Sequence, residues 1–167
     1  MYQQNGIEQF CTGHATFSAC TEKISAILSN EGLRRNSWFN EERAINLDEV
    51  EKLRNSAARK KTFDFVVAIK RNKLLLSEVK LRINGITTGL IDDVIGKVQH
   101  SKELLLECQN FNNPFTLHGI MTILIPDEKS ETRKRKFHNL RIEKNAKLNI
   151  EAYTVSEYYK KFIEPFG

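Results

Sequence analysis

Residues 63–80 read FDFVVAIKRNKLLLSEVK, two runs of β-branched, aromatic and leucine side chains joined by a short basic segment. Phe63, Phe65, Val67 and Ile69 alternate with Asp64, Val66 and Ala68, which is the period of a strand. A partner strand follows over Leu74 to Ile83. Between the two, Asn72 tolerates the left-handed conformation that a three-residue hairpin loop requires at its last position. With Lys70-Arg71-Asn72 as the loop, Ile69 pairs with Lys73, and counting back sets Asp64 opposite Glu78 on one face of the sheet. A two-residue loop sets Asp64 opposite Val79 instead and sends the two acids to opposite faces. The chemistry of the segment therefore depends on one register.

Residues two apart on a strand project to the same side, so Glu78-Val79-Lys80 sets a carboxylate beside an ammonium. Leu74 and Leu76 share the parity of Glu78 and Lys80, while Leu75, Val79, Leu81 and Ile83 make the other face apolar, so this strand is expected to be buried on both sides. Two carboxylates about 4 Å apart repel by about 4 kcal/mol at an effective dielectric near 20, which invites a proton, a lysine or a divalent cation between them. Magnesium suits such oxygen ligands, and an Asp/Glu pair beside a basic surface points to phosphodiester chemistry. Lys80 would then orient or deprotonate the attacking water. The structural alternative is a solvated cross-strand pair of Glu78 and Lys80, with Asp64 a polar residue at a strand edge.

Asp64, thirteen intervening residues and Glu78-Val79-Lys80 on the next strand resemble the PD-(D/E)xK nuclease superfamily of restriction enzymes, resolvases, repair nucleases and related toxins. The resemblance covers residues 16–107 and implies a restriction-endonuclease-like α/β fold with a mixed central β-sheet flanked by helices. It implies Mg2+, replaceable by Mn2+, bound by Asp64, Glu78 and the carbonyl of Val79, with a metal-bound water cleaving the strand and Lys80 beside it. Members of the superfamily also carry a carboxylate on a preceding helix, which Glu22 matches best and Glu31 less well. They carry a polar residue on the helix after the motif, here Gln99 or Lys97. Phe63 stands where the superfamily name has proline. Pro126-Asp127-Glu128-Lys129 spells that name more literally, but it follows a strand over Thr116 to Ile125 in a turn-like setting without a partner acid, and is expected to be a loop.

Outward from this centre, Cys20, Ile24, Ile27 and Leu28 lie at helical spacing and predict a first helix carrying Glu22, closed by Asn30 and Gly32. Arg34 to Ile45, with Trp38 and Phe39 among charges, fits a short strand or an irregular connection. Asn46 or Asp48, each with a glutamate three residues on, starts a second helix that runs to Ala58 with Val50 and Leu53 inward. A third helix over Gly89 to Asn110 carries Ile91, Val94, Ile95, Val98 and Leu105 as its apolar stripe. A last strand, Leu148 to Val155, precedes an amphipathic helix bearing Tyr158, Tyr159, Phe162 and Phe166.

A chain of 167 residues is the size of one domain and can bury about 70% of its unfolded surface. A single domain over 1–167 is expected, with a core at 16–126 and a C-terminal strand and helix at 137–167. Hydrophobic residues at 40% and charged residues at 28% argue against disorder and fibrous repeats. The longest uncharged apolar stretch, Phe115 to Pro126, is too short for a bilayer, and MYQQNGIEQF lacks the basic-then-apolar order of a signal peptide, so no membrane and a cytoplasmic location are expected. Cys11, Cys20 and Cys108 are expected as reduced thiols, and Cys11, His14 and Cys20 offer three zinc ligands without a fourth.

The net charge of +5 attracts polyanions. Lys60 and Lys61, Lys97, and the run Arg133, Lys134, Arg135 and Lys136 are the candidate nucleic-acid contacts, the first and last groups in loops or element ends. Such contacts release counterions, so affinity falls steeply with salt. The function expected is a metal-dependent nuclease acting on DNA. The alternatives are a non-catalytic nucleic-acid- or protein-binding module on a degenerate nuclease fold, and a toxin nuclease domain neutralised by a partner protein. A homodimer would let two copies cut both strands.

Overall fold

A computed structural model describes residues 4–54, 57–70, 72–106 and 115–166. The hairpin sits at its centre. Strand β3 is Phe65–Ile69 and β4 is Lys73–Val79, counting β1 as Thr21–Lys23 and β2 as Arg43–Asn46 before them. Ile69 pairs with Lys73 and Phe65 with Ser77, the register of the three-residue loop. Asn72 is left-handed at φ 59°, as that loop requires, and Lys70 shares the conformation at φ 48°.

Strands β1 to β4 form an antiparallel meander, after which helix α5, Thr88–Leu106, carries the chain back. Strands β5 (Thr116–Leu117) and β6 (Met121–Ile125) both pair in parallel with β4. Helix α6, Ser130–Asn145, returns the chain again, and β7, Ile150–Thr154, lies parallel to β6. The result is one mixed seven-stranded sheet with the order β1-β2-β3-β4-β6-β7 and β5 beside β4.

Alternation divides the sheet's side chains between two apolar layers. Val66, Ala68, Leu74, Leu76, Ile123 and Ile150 pack beneath α5 and α6, together with α1 (Gln4–Cys11), α2 (Ala15–Ala19) and α4 (Leu47–Arg54). Phe65, Val67, Ile69, Leu75, Val79 and Leu124 face α3 (Ile24–Asn30) and the C-terminal helical segment, which begins as α7 (Val155–Tyr158) and continues through Tyr159–Ile163 and Glu164–Phe166. β4 is buried at every position except Lys73. Helices on both faces of a mixed sheet make the chain α/β. Among the described residues no helix is long and apolar enough to cross a membrane.

Several elements differ from the sequence expectation. Thr21-Glu22-Lys23 is a strand, so the stretch expected as one helix is a strand followed by α3, and Glu22 lies in the strand. The cause is β2: Glu22 pairs with Ala44, Arg43 donates to the carbonyl of Thr21 at 2.7 Å, and Ile24 N–H reaches the carbonyl of Glu42. The C-terminal part of the Arg34 to Ile45 segment is that strand, and the part before it is irregular. Asn46 starts α4 by accepting from the N–H of Glu49 at 3.1 Å, but the helix ends at Arg54, residues 57 and 58 are not helical, and Leu53 is 65% exposed instead of inward. The expected strand over Thr116 to Ile125 breaks at residues 118–120. Arg133 to Lys136 lie within α6, not in a loop. Pro126 to Lys129 form a turn, as expected. Tyr158 and Phe162 are buried in the C-terminal segment, as expected of that helix. Arg71, Cys108, the end of the third helix near Asn110 and the side chain of Phe166 lie outside the described residues.

Candidate functional site

Asp64 stands one residue before β3, where its neighbours fix the backbone. Phe63 donates its N–H to Ser101 Oγ of α5 at 2.8 Å, and the carbonyl of Asp64 accepts from Leu47 N–H at 3.0 Å. One further rung of the β3–β4 ladder brings Asp64 opposite Glu78, and Asp64 Oδ2 accepts from the N–H of Val79 at 2.6 Å. Glu78 has the parity of Leu74 and Leu76, so it points beneath α5, and it is fully buried.

Two lysines converge on Glu78. Lys80 Nζ lies 2.9 Å from Oε1, and Lys97 Nζ of α5 reaches the same oxygen at 2.5 Å. Oε2 of Glu78 is buried and has no hydrogen-bond partner among the described residues. Asp93, one helical turn before Lys97, extends the cluster: Oδ2 is 3.2 Å from Lys80 Nζ and 3.5 Å from Lys97 Nζ, and Oδ1 is 2.7 Å from Lys61 Nζ.

These contacts set the protonation states. Burial, then the charge of Glu78, raise Asp64 from its ordinary value to about 8, against the opposing hydrogen bond from Val79 and the charge of Lys97. Glu31 adds a smaller upward contribution, which places its charge within reach of Asp64. Burial alone would lower Lys80, but Glu78, through charge and hydrogen bond, and Asp93 outweigh it and hold the ammonium well above its ordinary value. Asp93 feels burial in the upward direction, yet Lys61, Lys97 and Lys80 bring it down to about 2.

No family model matches the chain, and no curated protein or solved structure matches it. The chemistry open to the site therefore follows from its own donors. Asp64, Glu78 and the main-chain carbonyl of Val79 are hard oxygen ligands of the kind magnesium takes. The orphaned Oε2 supplies the further observation that this set fits a cation, since buried carboxylate oxygens are ordinarily satisfied. No group of three His, Cys, Asp or Glu side chains stands ready for a metal among the described residues, and the set here is two carboxylates and a carbonyl.

The expected residues divide. Asp64, Glu78, Val79 and Lys80 come together, and of the two candidates on α5 it is Lys97 that enters the site. Gln99, two residues on, turns outward and donates to Glu103 at 2.9 Å on the exposed side. Glu22 is held by the side chain of Asn46 at 2.7 Å in the β1–β2 pair, so Glu31, at the end of α3, is the acid whose charge reaches the site. Asp93 was missed, although its i, i+4 spacing to Lys97 was the available signal.

Among the expected nucleic-acid contacts, Lys61 is engaged by Asp93 and Lys97 by Glu78, while Lys60 is exposed with its N–H on Glu51. Lys134 is tied to Glu131 and Glu157, whereas Arg135 and Lys136 are exposed. Cys11 and Cys20 are buried free thiols, and burial pushes Cys11 up to about 11. His14 meets Phe17 edge-on.

Proposed function

We propose that this chain is a magnesium-dependent nuclease of the restriction-endonuclease-like kind, hydrolysing phosphodiester bonds in DNA. Glu78 carries the proposal. A fully buried carboxylate with one oxygen unpartnered is costly in a purely structural position, and here it faces a second carboxylate across the ladder. Asp64, Glu78 and the Val79 carbonyl would hold the ion, with Mn2+ able to replace Mg2+. Such an ion polarises a phosphoryl oxygen and lowers the pKa of a bound water.

The protein's own groups have separable parts. Asp64 exchanges its proton near pH 8, so its conversion to a ligand is coupled to pH. Lys97, 11% exposed, fixes Glu78 from α5. Lys80, 20% exposed, is firmly protonated by its two acidic neighbours. It is therefore suited to orient the attacking water and to offset charge on the phosphate, and not to remove a proton.

One observation favours a second reading, a binding module without catalysis. Lys61, Lys80 and Lys97 are all engaged in ion pairs with Glu78 and Asp93, which is how a structural ion-pair cluster is built. Cleavage of supercoiled plasmid with magnesium, manganese or chelator separates the two. Metal-dependent nicking is expected, reduced at least about 100-fold in Glu78→Gln at equal folded concentration. No cleavage of plasmid, branched DNA or RNA under any metal would assign the cluster to structure.

A further inference from the structure

A groove of about 880 Å3 opens where β4 and β6 end, and its lining begins one residue beyond Lys80. Arg34, Arg35, Arg82 and Arg133 line it, coming from the connection after α3, the segment after β4, and α6. Arg82 donates to the carbonyl of Asn30 at 2.9 Å and Arg133 to that of Asn84 at 3.3 Å. Main-chain carbonyls aim a guanidinium without neutralising it. Among the described residues none of the four forms an ion pair.

The wall is shaped for Arg82. Gly32, at φ 109°, lies so close that a Cβ there would stand 2.8 Å from Arg82 Cγ, so the arginine stem passes over a position only glycine leaves open. Trp38, the one tryptophan of the chain, also borders the groove. Its ring leans on Tyr159 at 5.8 Å between centroids, and the ammonium of the exposed Lys160 lies 5.2 Å from its centre. Asp127 and Glu128 are the acids on the rim, which leaves the lining with an excess of two positive charges over its four arginines and two acids.

We infer that this groove takes a single strand of nucleic acid, with phosphates on the arginines and a base against Trp38, leading the strand toward Asp64 and Glu78. The last step of that path rests on the nuclease reading; the charge and shape of the groove do not. Clustered, unpaired guanidinium groups repel one another and lower that cost by binding a polyanion, and their planar forks match phosphate oxygens. A basic groove that tracks a backbone beside an aromatic ring is the arrangement that holds unpaired strands, because an unstacked base offers its face. A duplex keeps those faces buried. An exposed lysine ammonium over a ring can exchange that contact for a phosphate.

Because Trp38 is the single tryptophan, its fluorescence reports on the groove. The Glu78→Gln chain, in chelator, is titrated with a short oligothymidylate, a short oligouridylate, and a duplex of the same length. Saturable quenching by the single strands is expected, weaker with the duplex. The exposed pair Arg34→Ala/Arg35→Ala should lower affinity at least about tenfold and make the log–log salt dependence shallower by about 1.4, the share of two phosphate contacts. Absent quenching, an unchanged affinity in the double variant, or a duplex that binds as tightly as the strands overturns the inference. Glu78-dependent cleavage with unaltered binding in the double variant sinks the groove and spares the nuclease. Strand binding that depends on the arginines, without cleavage of any substrate, does the reverse.

Discussion

Asp64 loses most of its water beneath α5 and faces Glu78, and the two effects move it to about 8 from an ordinary 3.8. Between about pH 4 and pH 8 the folded chain keeps a proton that the unfolded chain has released, so each rise in pH across that window weakens folding. Above it, the cost of the buried charge is fully present. Asp64→Asn removes that charge and keeps an oxygen for the N–H of Val79. The variant is expected to be more stable than the native chain at pH 8 by on the order of 1–3 kcal/mol, with a smaller gain at about pH 5, and under the proposed nuclease function it would lose cleavage. Urea midpoints at both pH values measure this. A gain that does not grow with pH would mean that Asp64 does not hold a buried proton. Under the proposed function, that lost stability is the ordinary cost of a site kept ready for a ligand.

The β3–β4 hairpin converts a loop length into a site. Lys70 and Asn72 both stand at positive φ, and the register they set carries Asp64 to Glu78. Asn72→Gly is expected to leave stability nearly unchanged, whereas Asn72→Val, β-branched at φ 59°, should lower it by about 1–2 kcal/mol in thermal or urea unfolding. Equal stability of the two variants would remove the role given to the left-handed turn. This element was legible in sequence because strand period, turn chemistry and paired acids agreed. Thr21-Glu22-Lys23 was not, because Cys20, Ile24, Ile27 and Leu28 imitate one helical stripe, and only the neighbouring β2 shows that the backbone between them is paired. α6 hid for the opposite reason. Of its residues only Phe137 and Arg141 are buried, so sixteen residues rich in charge give almost no apolar period. Gln99 and Lys97, two apart, fall on different sides of α5, and the sequence alone left both open.

The sheet carries an apolar layer on each face, and the two layers are closed by different parts of the chain. Helices α1, α4, α5 and α6 cover the face that bears Asp64 and Glu78. The opposite face depends on the C-terminal segment: Tyr153, Val155, Tyr158, Phe162 and Ile163 pack on Phe65, Leu75 and Leu124. Tyr158 also meets Ser77 at 2.9 Å, and Ser77 in turn accepts from Thr122, a buried hydroxyl chain joining that helix to β4 and β6. Strand β7 pairs along its full length with β6, so residues beyond 126 share the sheet. Five buried side chains at about 1.5–3 kcal/mol each come to roughly 10 kcal/mol, comparable to the whole stability of a domain. A chain ending at Asp127 is therefore expected to show no cooperative urea transition and no fixed near-ultraviolet dichroism. Cooperative unfolding together with metal-dependent cleavage in that shortened chain would show instead that the hairpin, α3, α5 and β6 form a self-sufficient catalytic unit. The coupling runs through β4, because Leu75 and Val79 bury against the C-terminal layer while Glu78 and Leu76 face α5, so exposing one face loosens the strand that holds the site on the other.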